Sequence, residues 1–469
     1  MRNAVRIVAT VCLALLAAAP AASAARRMPI GFQDDATFRW SKNPPRELDE
    51  AAAAHASLIR TIADWRAIAP ARPRRATNPF DPAYRLNDLD QLVRGAQERG
   101  IRVMITIWGT PRWANGGHGP NFAPKRLADL TNFARALAAR YSGRYRGYPY
   151  VGRYSVWNEP NLGIFLTPQF DARRNIVSPR IYASLYRAAY KGIKTGNRSA
   201  LVAIGETSNQ GRDHPLRGVN DSVAPATFAR LLARQHGLRF DAYATHPYPT
   251  RPGLPPTQKV RWPNVTLTRL KQFEHSLDGW FHRRNVPVWI TEYGYETKPA
   301  ERTGVTNAQQ AAYLSRVVRQ LRADPRVHMF IWFIFRDSPH SLWQSGVYAS
   351  SGHAKRSYRV FSALARVTAG ESKTITAHVS PTISLPVPKL AFTSPPGTAI
   401  DVDYRIYLGG RRLAIGRATP RLLTSQTVAF RARFRPAPGR TYTVRMAADN
   451  ADGGHVAATY ELVTVGKNR

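Results

Sequence analysis

Two glutamates stand where apolar, strand-like segments give way to loops. Glu159 lies in the segment VWNEPN (156–161), in which Pro160 would end a strand, and Glu292 lies in VWITEYG (288–294). Cleavage of a glycosidic bond needs one carboxylic acid to protonate the leaving oxygen and one carboxylate on the opposite side of the sugar. When the two lie about 5–5.5 Å apart, the second attacks the anomeric carbon and the configuration is retained. We therefore predict that Glu159 is the acid/base and Glu292 the nucleophile.

This pair needs a scaffold that brings the ends of distant strands together. Short apolar runs alternate with amphipathic stretches about every 40 residues, a pattern typical of βα units around a parallel sheet. The predicted strands are Pro29–Phe32, Leu58–Asp64, Arg102–Ile107, Tyr154–Trp157, Leu201–Ile204, Phe240–Thr245, Pro287–Thr291 and His328–Phe335. The predicted helices are Leu89–Arg99, Pro124–Tyr141, Pro179–Lys194, Pro225–His236, Leu267–Arg284 and Asn307–Arg322. Eight strands in about 340 residues favour a (β/α)8 barrel over a doubly wound sheet, and no glycine-rich phosphate-binding fingerprint follows a strand.

Barrel enzymes of this kind place their chemistry at the C-terminal ends of the strands. On the seventh predicted strand, the alternation of side chains puts Glu292 on the same face as Val288 and Ile290, which we expect to point into the barrel. Glu159 and Glu292 would then face each other across the mouth. The nearby carboxylate of Glu292 would help to raise the pKa of Glu159, which must be protonated near neutral pH to act as an acid.

The character of the sequence changes near Gly370. Helical periodicity stops, and the predicted elements are alternating strands at Lys373–Val379, Ala399–Leu408, Thr427–Phe434, Tyr442–Ala448 and Ala457–Val465. The proline-rich segments 381–388 and 395–396 are interpreted as loops. The predicted organisation is therefore a signal peptide over 1–24, an α/β TIM barrel over 25–369, and an immunoglobulin- or fibronectin-III-like β-sandwich over 370–469. The tyrosines of the last module alternate with apolar residues, which favours a structural role for it.

The two glutamate motifs resemble those of clan A of the glycoside hydrolases. The sequences WNEP (157–160) and ITEYG (290–294) are most similar to the family 5, cellulase-like, and family 39, β-xylosidase-like, members. The resemblance covers roughly residues 28 to 370 and implies a retaining double displacement on a (β/α)8 barrel. It also implies that Asn158 binds the 2-hydroxyl of the sugar and that Arg60 orients the nucleophile. An arginine can hold a carboxylate through two hydrogen bonds and keep it ionised.

Other positions also resemble those of the clan, and for two of them a structural role in the core fits as well. His246 and Tyr248 follow strand 6 and resemble a His/Tyr pair whose tyrosine bonds the nucleophile, but His246 also fits a satisfied core histidine. Trp332 on strand 8 resembles the tryptophan that floors a sugar subsite, but this strand is so aromatic that a core role also fits. Trp108 and Trp113, in the loop after strand 3, are interpreted as aromatic platforms for sugar rings.

Four polar residues after strands remain ambiguous between bonding sugar hydroxyls and capping loops: Gln33, Asp34, Glu206 and Asp337. No cofactor or metal is expected, because the 12 histidines show no HExxH-type ligand spacing and the single cysteine lies near the N-terminus. A serine hydrolase is disfavoured, because no G-x-S-x-G elbow follows a strand.

The N-terminus is predicted to direct export. Arg2 and Arg6 are followed by a short apolar run (8–19) and by the small residues 22–24, which is the order of a cleaved secretory signal. The run is too short to span a bilayer. We expect cleavage after Ala24, no membrane anchor, and a secreted protein that is extracellular or associated with the cell wall.

The net charge of +38 raises nucleic-acid binding as a possibility. The basic residues are mostly arginine and are spread over the whole chain, so no nucleic-acid partner is expected. The charge instead favours electrostatic association with anionic wall polymers, beside a carbohydrate substrate, and we expect a monomer. The sequence therefore predicts a secreted retaining glycosidase acting on an oligosaccharide or polysaccharide. The alternative is a catalytically silent glycan-binding or wall-associated protein on the same barrel, which would have no need for the glutamate pair.

Overall fold

The computed structural model of the protein describes residues 28–145, 147–340 and 343–368. In the C-terminal part it describes 373–378, 382–386, 399–408, 411–424, 427–431, 434, 436–437, 439–450 and 455–465. The predicted signal peptide, with the single residue Cys12, lies outside the described residues. Within the described ranges, no helix combines the length and the apolar character that crossing a membrane requires.

Eight parallel strands close into a barrel in chain order, with β1 paired to both β2 and β8. They are β1 Ile30–Gln33, β2 Leu58–Asp64, β3 Arg102–Trp108, β4 Arg153–Val156, β5 Leu201–Thr207, β6 Ala242–Thr245, β7 Val288–Tyr293 and β8 Val327–Phe333. Each predicted strand corresponds to one of these, with boundaries that differ by a few residues. The predicted (β/α)8 barrel is confirmed.

Helices surround the barrel. They are α1 Asp35–Phe38, α2 Pro44–Ala53, α3 Trp65–Ile68, α4 Asn87–Glu98, α5 Arg112–Asn115, α6 Leu127–Arg140, α7 Ser178–Gly196, α8 Pro225–Ala233, α9 Leu270–Phe281, α10 Asn307–Arg322 and α11 Arg356–Thr368. Local sequence explains several starts: proline lies in the first turn of α2, α7 and α8, and Thr306 and Gln309 form a reciprocal capping box at α10. All six predicted helices are present, whereas α2 and α11 were not predicted.

The barrel strands are apolar on both faces. The interior is filled by buried side chains from six strands: Leu58, Met104, Ala203, Ala242, Ala244, Trp289, Met329 and Ile331. A larger cluster, which includes Val288 and Ile290, packs between the strands and the helices. The prediction that Val288 and Ile290 point into the barrel is therefore wrong, and Trp289 takes that place. The pairing of β7 with β8 shifts register between Ile290 and Tyr293. Such an irregularity resets the alternation, so Glu292 reaches the mouth of the barrel despite the wrong assignment of faces.

The C-terminal part forms two β-sheets. Its strands are β9 Lys373–His378, β10 Thr382–Pro386, β11 Ile400–Leu408, β12 Arg411–Ala418, β13 Leu422–Thr424, β14 Thr427–Arg431, β15 Thr441–Asn450 and β16 His455–Val465. One sheet has the order β12-β11-β15-β16-β9 and the other β10-β14-β13; all pairs are antiparallel except β16 with β9. The predicted all-β module is confirmed, but the prediction of a loop over 381–388 is wrong, because β10 pairs with β14 along its whole length. Pro386 is tolerated because it ends the strand.

Candidate active site

Arg60 lies at the centre of the site. It follows Leu58 on the inward face of β2 and is completely buried. All five of its N–H groups have acceptors, which come from five different elements of the barrel: Glu292 Oε1 (2.6 Å), Gln33 Oε1, Asn158 Oδ1 (2.9 Å), Glu206 Oε2 (3.1 Å) and Thr106 Oγ1 (2.9 Å). The guanidinium therefore ties the ends of β1, β3, β4, β5 and β7 to β2, and a buried arginine with every donor satisfied has one fixed orientation.

The imidazole of His246, which follows β6, bridges two carboxylates. Its Nδ1 lies 2.9 Å from Glu159 Oε1, and its Nε2 lies 2.8 Å from Glu206 Oε2. Glu292 Oε2 lies 3.7 Å from the same Nδ1. The hydroxyl of Tyr248 donates a hydrogen bond of 3.2 Å to that Glu292 oxygen. Glu292 is therefore held through one oxygen by Arg60 and through the other by Tyr248.

Glu159 and Glu292 come close together at the mouth. One carboxylate oxygen of each, together with a ring nitrogen of His246, forms a group whose atoms all lie within 4.8 Å of one another. Both side chains keep a small exposed fraction, 14% for Glu159 and 10% for Glu292. The two predicted catalytic glutamates are thus adjacent and reachable from solvent, while Arg60 and His246 beneath them are closed off.

The burial and charge of the site separate the titrations of its members. Burial raises the pKa of Glu159 above its ordinary value, and Glu292 adds to the rise, although His246 opposes it. Burial also opposes ionisation of Glu206, but Arg60 and His246 outweigh it and lower the pKa of Glu206 to about 2. Burial opposes protonation of His246, but Glu292, Glu159 and Glu206 raise its pKa to about 10. Glu159, whose raised pKa favours the protonated form, thus lies beside the imidazolium of His246 and near the ionised carboxylate of Glu206.

The backbone is unusual where these side chains leave their strands. Trp157, Glu159 and Glu206 have φ values of 70°, 37° and 51°, in the left-handed region that residues with a Cβ seldom adopt. Such a conformation costs about 1–3 kcal/mol per residue and persists only where the surroundings enforce it. Here the hydrogen bonds from His246 to both glutamates are part of that enforcement.

The aromatic predictions have a mixed outcome. The prediction that Trp332 floors a sugar subsite is wrong: its ring has an exposed fraction of 0%, lies in the cluster between strands and helices, and donates Nε1–H to Ser345 O at 2.8 Å. Trp108 lies at the C-terminal end of β3, partly buried, with Phe165 edge-on at 5.9 Å. Trp113 instead packs edge-on against Trp65 at 5.8 Å. In the described part of the chain, none of the hydrogen bonds or ring contacts of Trp113 reaches the two glutamates.

Two other rings line the mouth: Trp343, which sequence reasoning missed, and Phe333, one of the strand-8 aromatics whose facing the sequence left open. Trp343 is 38% exposed and lies 5.5 Å from the ring of Tyr248, which bonds Glu292. Phe333, the inward-facing last residue of β8, lies edge-on to Trp343 at 5.8 Å. Trp343 belongs to an irregular loop with no periodic pattern, so the only signal in the sequence for a role in the site is that the residue is a tryptophan.

The ambiguous polar residues resolve as supports. Asp34 caps α1 and also accepts the backbone N–H groups of Phe335 and Arg336, and burial raises its pKa to about 6. Asp337 pairs with Lys355 inside the β8 loop. Gln33 Oε1 accepts from Arg60, which makes Gln33 part of the hydrogen-bond network of the site. Glu206 is 0% exposed, which does not suit direct contact with a sugar.

The close group of Glu159, His246 and Glu292 has a spacing that a metal ion could use. The charges argue against one. A histidine must be neutral to bind a metal, whereas the pKa of His246 is raised to about 10, and the Arg60 cation lies 2.6 Å from Glu292. The arrangement suits an acid and a nucleophile better than a divalent cation.

A closed (β/α)8 barrel with paired glutamates after β4 and β7 defines a glycosidase of clan A. The family model for cellulase (glycosyl hydrolase family 5) matches residues 24–336, and the chain belongs to this family. The clan resemblance drawn from the sequence is confirmed, and the family to which the chain belongs is one of glycosyl hydrolases.

Solved structures agree on the fold. A family 5 enzyme from Streptomyces cattleya, in complex with Manβ1-4GlcNAc, is 17% identical with a TM-score of 0.51, covering 75% of this chain and 85% of that one. A similar enzyme from Bifidobacterium longum, in complex with the same disaccharide, is 14% identical with a TM-score of 0.51, covering 75% and 82%. A β-glucuronidase from Bacteroides uniformis matches at 12% identity and a TM-score of 0.43; the match covers 94% of this chain but 46% of that enzyme, so the chain spans about half its length. No curated protein matches the sequence.

Proposed function

We propose that the protein is a secreted, retaining glycosidase that hydrolyses O-glycosidic bonds of an oligosaccharide or polysaccharide through a covalent glycosyl-enzyme. The observation that carries this proposal is the separation of the two glutamates, whose nearest oxygens lie within 4.8 Å. An inverting pair needs about 6.5–9.5 Å between carboxyl groups to admit a water molecule between acid and sugar. The close spacing supports direct attack by one carboxylate.

The contacts support these two roles. Glu292 is held at both oxygens by the donors Arg60 and Tyr248, which fixes the direction of attack. Glu292 bonds to the anomeric carbon while the bond from that carbon to the leaving oxygen breaks. Glu159, whose pKa burial raises, gives its proton to that oxygen.

The second step reverses the proton transfer. Glu159, now a carboxylate, takes a proton from water while the water oxygen bonds to the anomeric carbon and Glu292 departs. In this proposal Asn158 binds the 2-hydroxyl of the sugar: its Oδ1 accepts from Arg60, so its amide N–H groups are available as donors. The product keeps the configuration of the substrate.

The test is to trap the intermediate. Incubation with activated 2-deoxy-2-fluoro-β-glycosides should add one glycosyl unit to the intact protein, and peptide mapping should place it on Glu292. Glu292→Gln should fold normally and neither label nor turn over. Labelling of another residue would contradict the assignment. Glycan binding without turnover on a broad aryl-glycoside and polysaccharide panel would instead favour the silent binding protein.

The basic surface supports association with anionic wall polymers. A groove between α6 and α7 is lined by Arg135, Arg187 and Lys191 and by no acidic side chain. We propose that it contributes to retention on an acidic polysaccharide, in line with the net charge of +38 and the export expected from the N-terminus. Retention on a carboxylated matrix should require well over 0.15 M salt for elution, where the screening length is about 8 Å. Elution at very low salt would remove the idea.

A further inference from the structure

Glu206 is a carboxylate of the site to which the two-step reaction gives no task. It lies one residue before the end of β5, has a left-handed backbone conformation with a φ of 51°, and is completely closed to solvent. A single oxygen, Oε2, accepts three hydrogen bonds: from Arg60 Nη2 (3.1 Å), His246 Nε2 (2.8 Å) and Thr291 Oγ1 (2.9 Å). Such convergence of donors holds a carboxylate in its ionised form.

The partner that links Glu206 to the chemistry is His246. Its two ring nitrogens face two different carboxylates, Glu206 at 2.8 Å and Glu159 at 2.9 Å. When both carboxylates are ionised, both nitrogens must carry a proton, because a neutral imidazole has only one N–H. The ring is therefore a fixed connection between the buried anion and the acid/base.

We propose that Glu206 is a positioning residue that holds His246 as an imidazolium against Glu159 and, through its own negative charge, extends the pH range over which Glu159 carries its proton. This inference rests on the proposed function, because it takes Glu159 as the general acid. It assigns the histidine–glutamate pair a task in the reaction, separate from contact with the sugar.

A charge count explains how the control works. The cations Arg60 and His246 stand among the carboxylates Glu159, Glu206 and Glu292. With all of them ionised the cluster carries one net negative charge, and with Glu159 protonated it is neutral. In a low-dielectric site the neutral state is favoured, so Glu159 keeps its proton to a higher pH. Without the charge of Glu206, the cluster is already neutral when Glu159 is ionised, and the advantage disappears.

The carboxylate of Asp35 also acts on Arg60 but is paired with Arg39 at 3.3 Å, and the further groups in contact with the cluster are uncharged. Tyr248 bonds Glu292, and burial raises its pKa well above the ordinary value. The hydroxyl of Tyr182, from α7, accepts the N–H of Gly205 beside Glu206, and its pKa is also raised by burial. Thr291 contributes a neutral hydroxyl. The charge of Glu206 is thus not duplicated by these neighbours.

The proposal predicts the direction of change in Glu206→Gln. Loss of a neighbouring negative charge lowers the proton affinity of both Glu159 and His246. The alkaline limb of kcat/KM, which reports deprotonation of the acid, should move to lower pH by about one unit, the size expected for one charge a few ångströms away at an intermediate dielectric. Glu206→Asp, which keeps the charge, should restore the limb toward its wild-type position.

The control is Asp90→Asn. Asp90 is also a buried carboxylate paired with an arginine, Arg140, but it lies on α4 and shares no contact with the described site. It therefore reports what the loss of a buried ion pair does to folding alone. Each variant is compared at a temperature below its own melting transition, on a 4-nitrophenyl β-glycoside that the wild type turns over.

The direct measurement is ¹⁵N NMR of the histidine rings in the full chain, with His246 assigned from the resonance absent in His246→Asn. We expect both ring nitrogens of His246 to be protonated from pH 5 to 8 in the wild type, and we expect His246 in Glu206→Gln to lose a proton at a lower pH than in the wild type but above the shifted alkaline limb. A neutral His246 in the wild type at pH 7 would overturn the proposal even if the variant does not fold. A folded Glu206→Gln with reduced activity and an unmoved alkaline limb would also overturn it. Because the NMR measurement needs no substrate, an inactive wild type would count against the proposed function and leave this measurement intact.

Discussion

Replacing Arg60 is the perturbation that should expose the coupling between the site and the stability of the barrel. The guanidinium satisfies five acceptors, two of them carboxylates, in a fully buried position. A lysine keeps the positive charge but has three N–H donors, so at least two acceptors lose their partner. Each acceptor left unsatisfied inside a protein costs about 1–3 kcal/mol. Arg60→Lys should therefore lower the free energy of unfolding by about 2–6 kcal/mol, a large part of a typical total of about 5–15 kcal/mol.

Arg60→Met separates charge from geometry. It leaves Glu206 and Glu292 buried with no guanidinium between them, and removal of one member of a buried ion pair costs about 3–5 kcal/mol. The cost should shrink between pH 7 and pH 5, because without Arg60 the buried carboxylates can take up protons at a higher pH than in the wild type. The loss of unfolding free energy in Arg60→Met should therefore depend on pH, whereas the loss caused by a simple packing defect would not.

Urea unfolding followed by tryptophan fluorescence is a suitable assay, because all 10 tryptophans lie between positions 40 and 343 and therefore report on the barrel. Arg66→Met is the matched control: Arg66 follows the same strand, is half exposed, and pairs with Asp64 at 3.5 Å. Exposed pairs contribute about 0–1 kcal/mol. If Arg60→Lys unfolds within about 1 kcal/mol of the wild type, the claim that this hydrogen-bond network holds the strand ends together is refuted.

Three further perturbations test the other parts of the site. Glu159→Gln should lower kcat/KM by about 100- to 10,000-fold on substrates with poor leaving groups, and far less on dinitrophenyl glycosides, whose departure needs no acid; equal losses of kcat/KM on both would argue against the acid/base role. Trp343→Ala should raise KM with little change in the unfolding midpoint, because the ring is 38% exposed. Trp332→Ala should lower the free energy of unfolding by about 3–5 kcal/mol, because that ring is 0% exposed. The reverse pattern would contradict the assignment of the two rings. The pKa of Glu206 is lowered to about 2 in the folded state, so its ionisation contributes stability that is present above pH 4.5 and lost as the pH falls toward 2. In Glu206→Gln the free energy of unfolding should therefore fall less steeply over this pH range. An unchanged slope would count against the lowered pKa.

The sequence predicted the barrel well because its strands are short apolar runs separated by amphipathic helices, and both patterns are local. The prediction that Val288 and Ile290 point into the barrel was wrong for a physical reason. A barrel strand is apolar on both sides, one toward the interior and one toward the helices, so alternation alone cannot tell them apart. Trp332 was misplaced for the same reason. The strand at β10 was missed because its prolines were read as loop formers.

The site itself could be predicted only in part. Glu159 and Glu292 stood out because the chemistry fixes their residue type and the fold fixes their place at strand ends. The contacts of Arg60 and His246 with Glu206 join positions that are 146 and 40 residues apart in the sequence, and no local pattern indicates them. Only the closed barrel brings these residues together, which is why the task proposed for Glu206 emerged from the structure.

The stereochemistry of the first-formed product tests the central claim most directly. The anomeric proton of the released sugar can be followed by ¹H NMR during the first minutes of hydrolysis of a 4-nitrophenyl β-glycoside, before mutarotation. Because one carboxylate oxygen of Glu159 lies within 4.8 Å of one of Glu292, we predict that the β-anomer appears first and the α-anomer later. Prompt appearance of the α-anomer would contradict attack by Glu292 and the two-step mechanism with it.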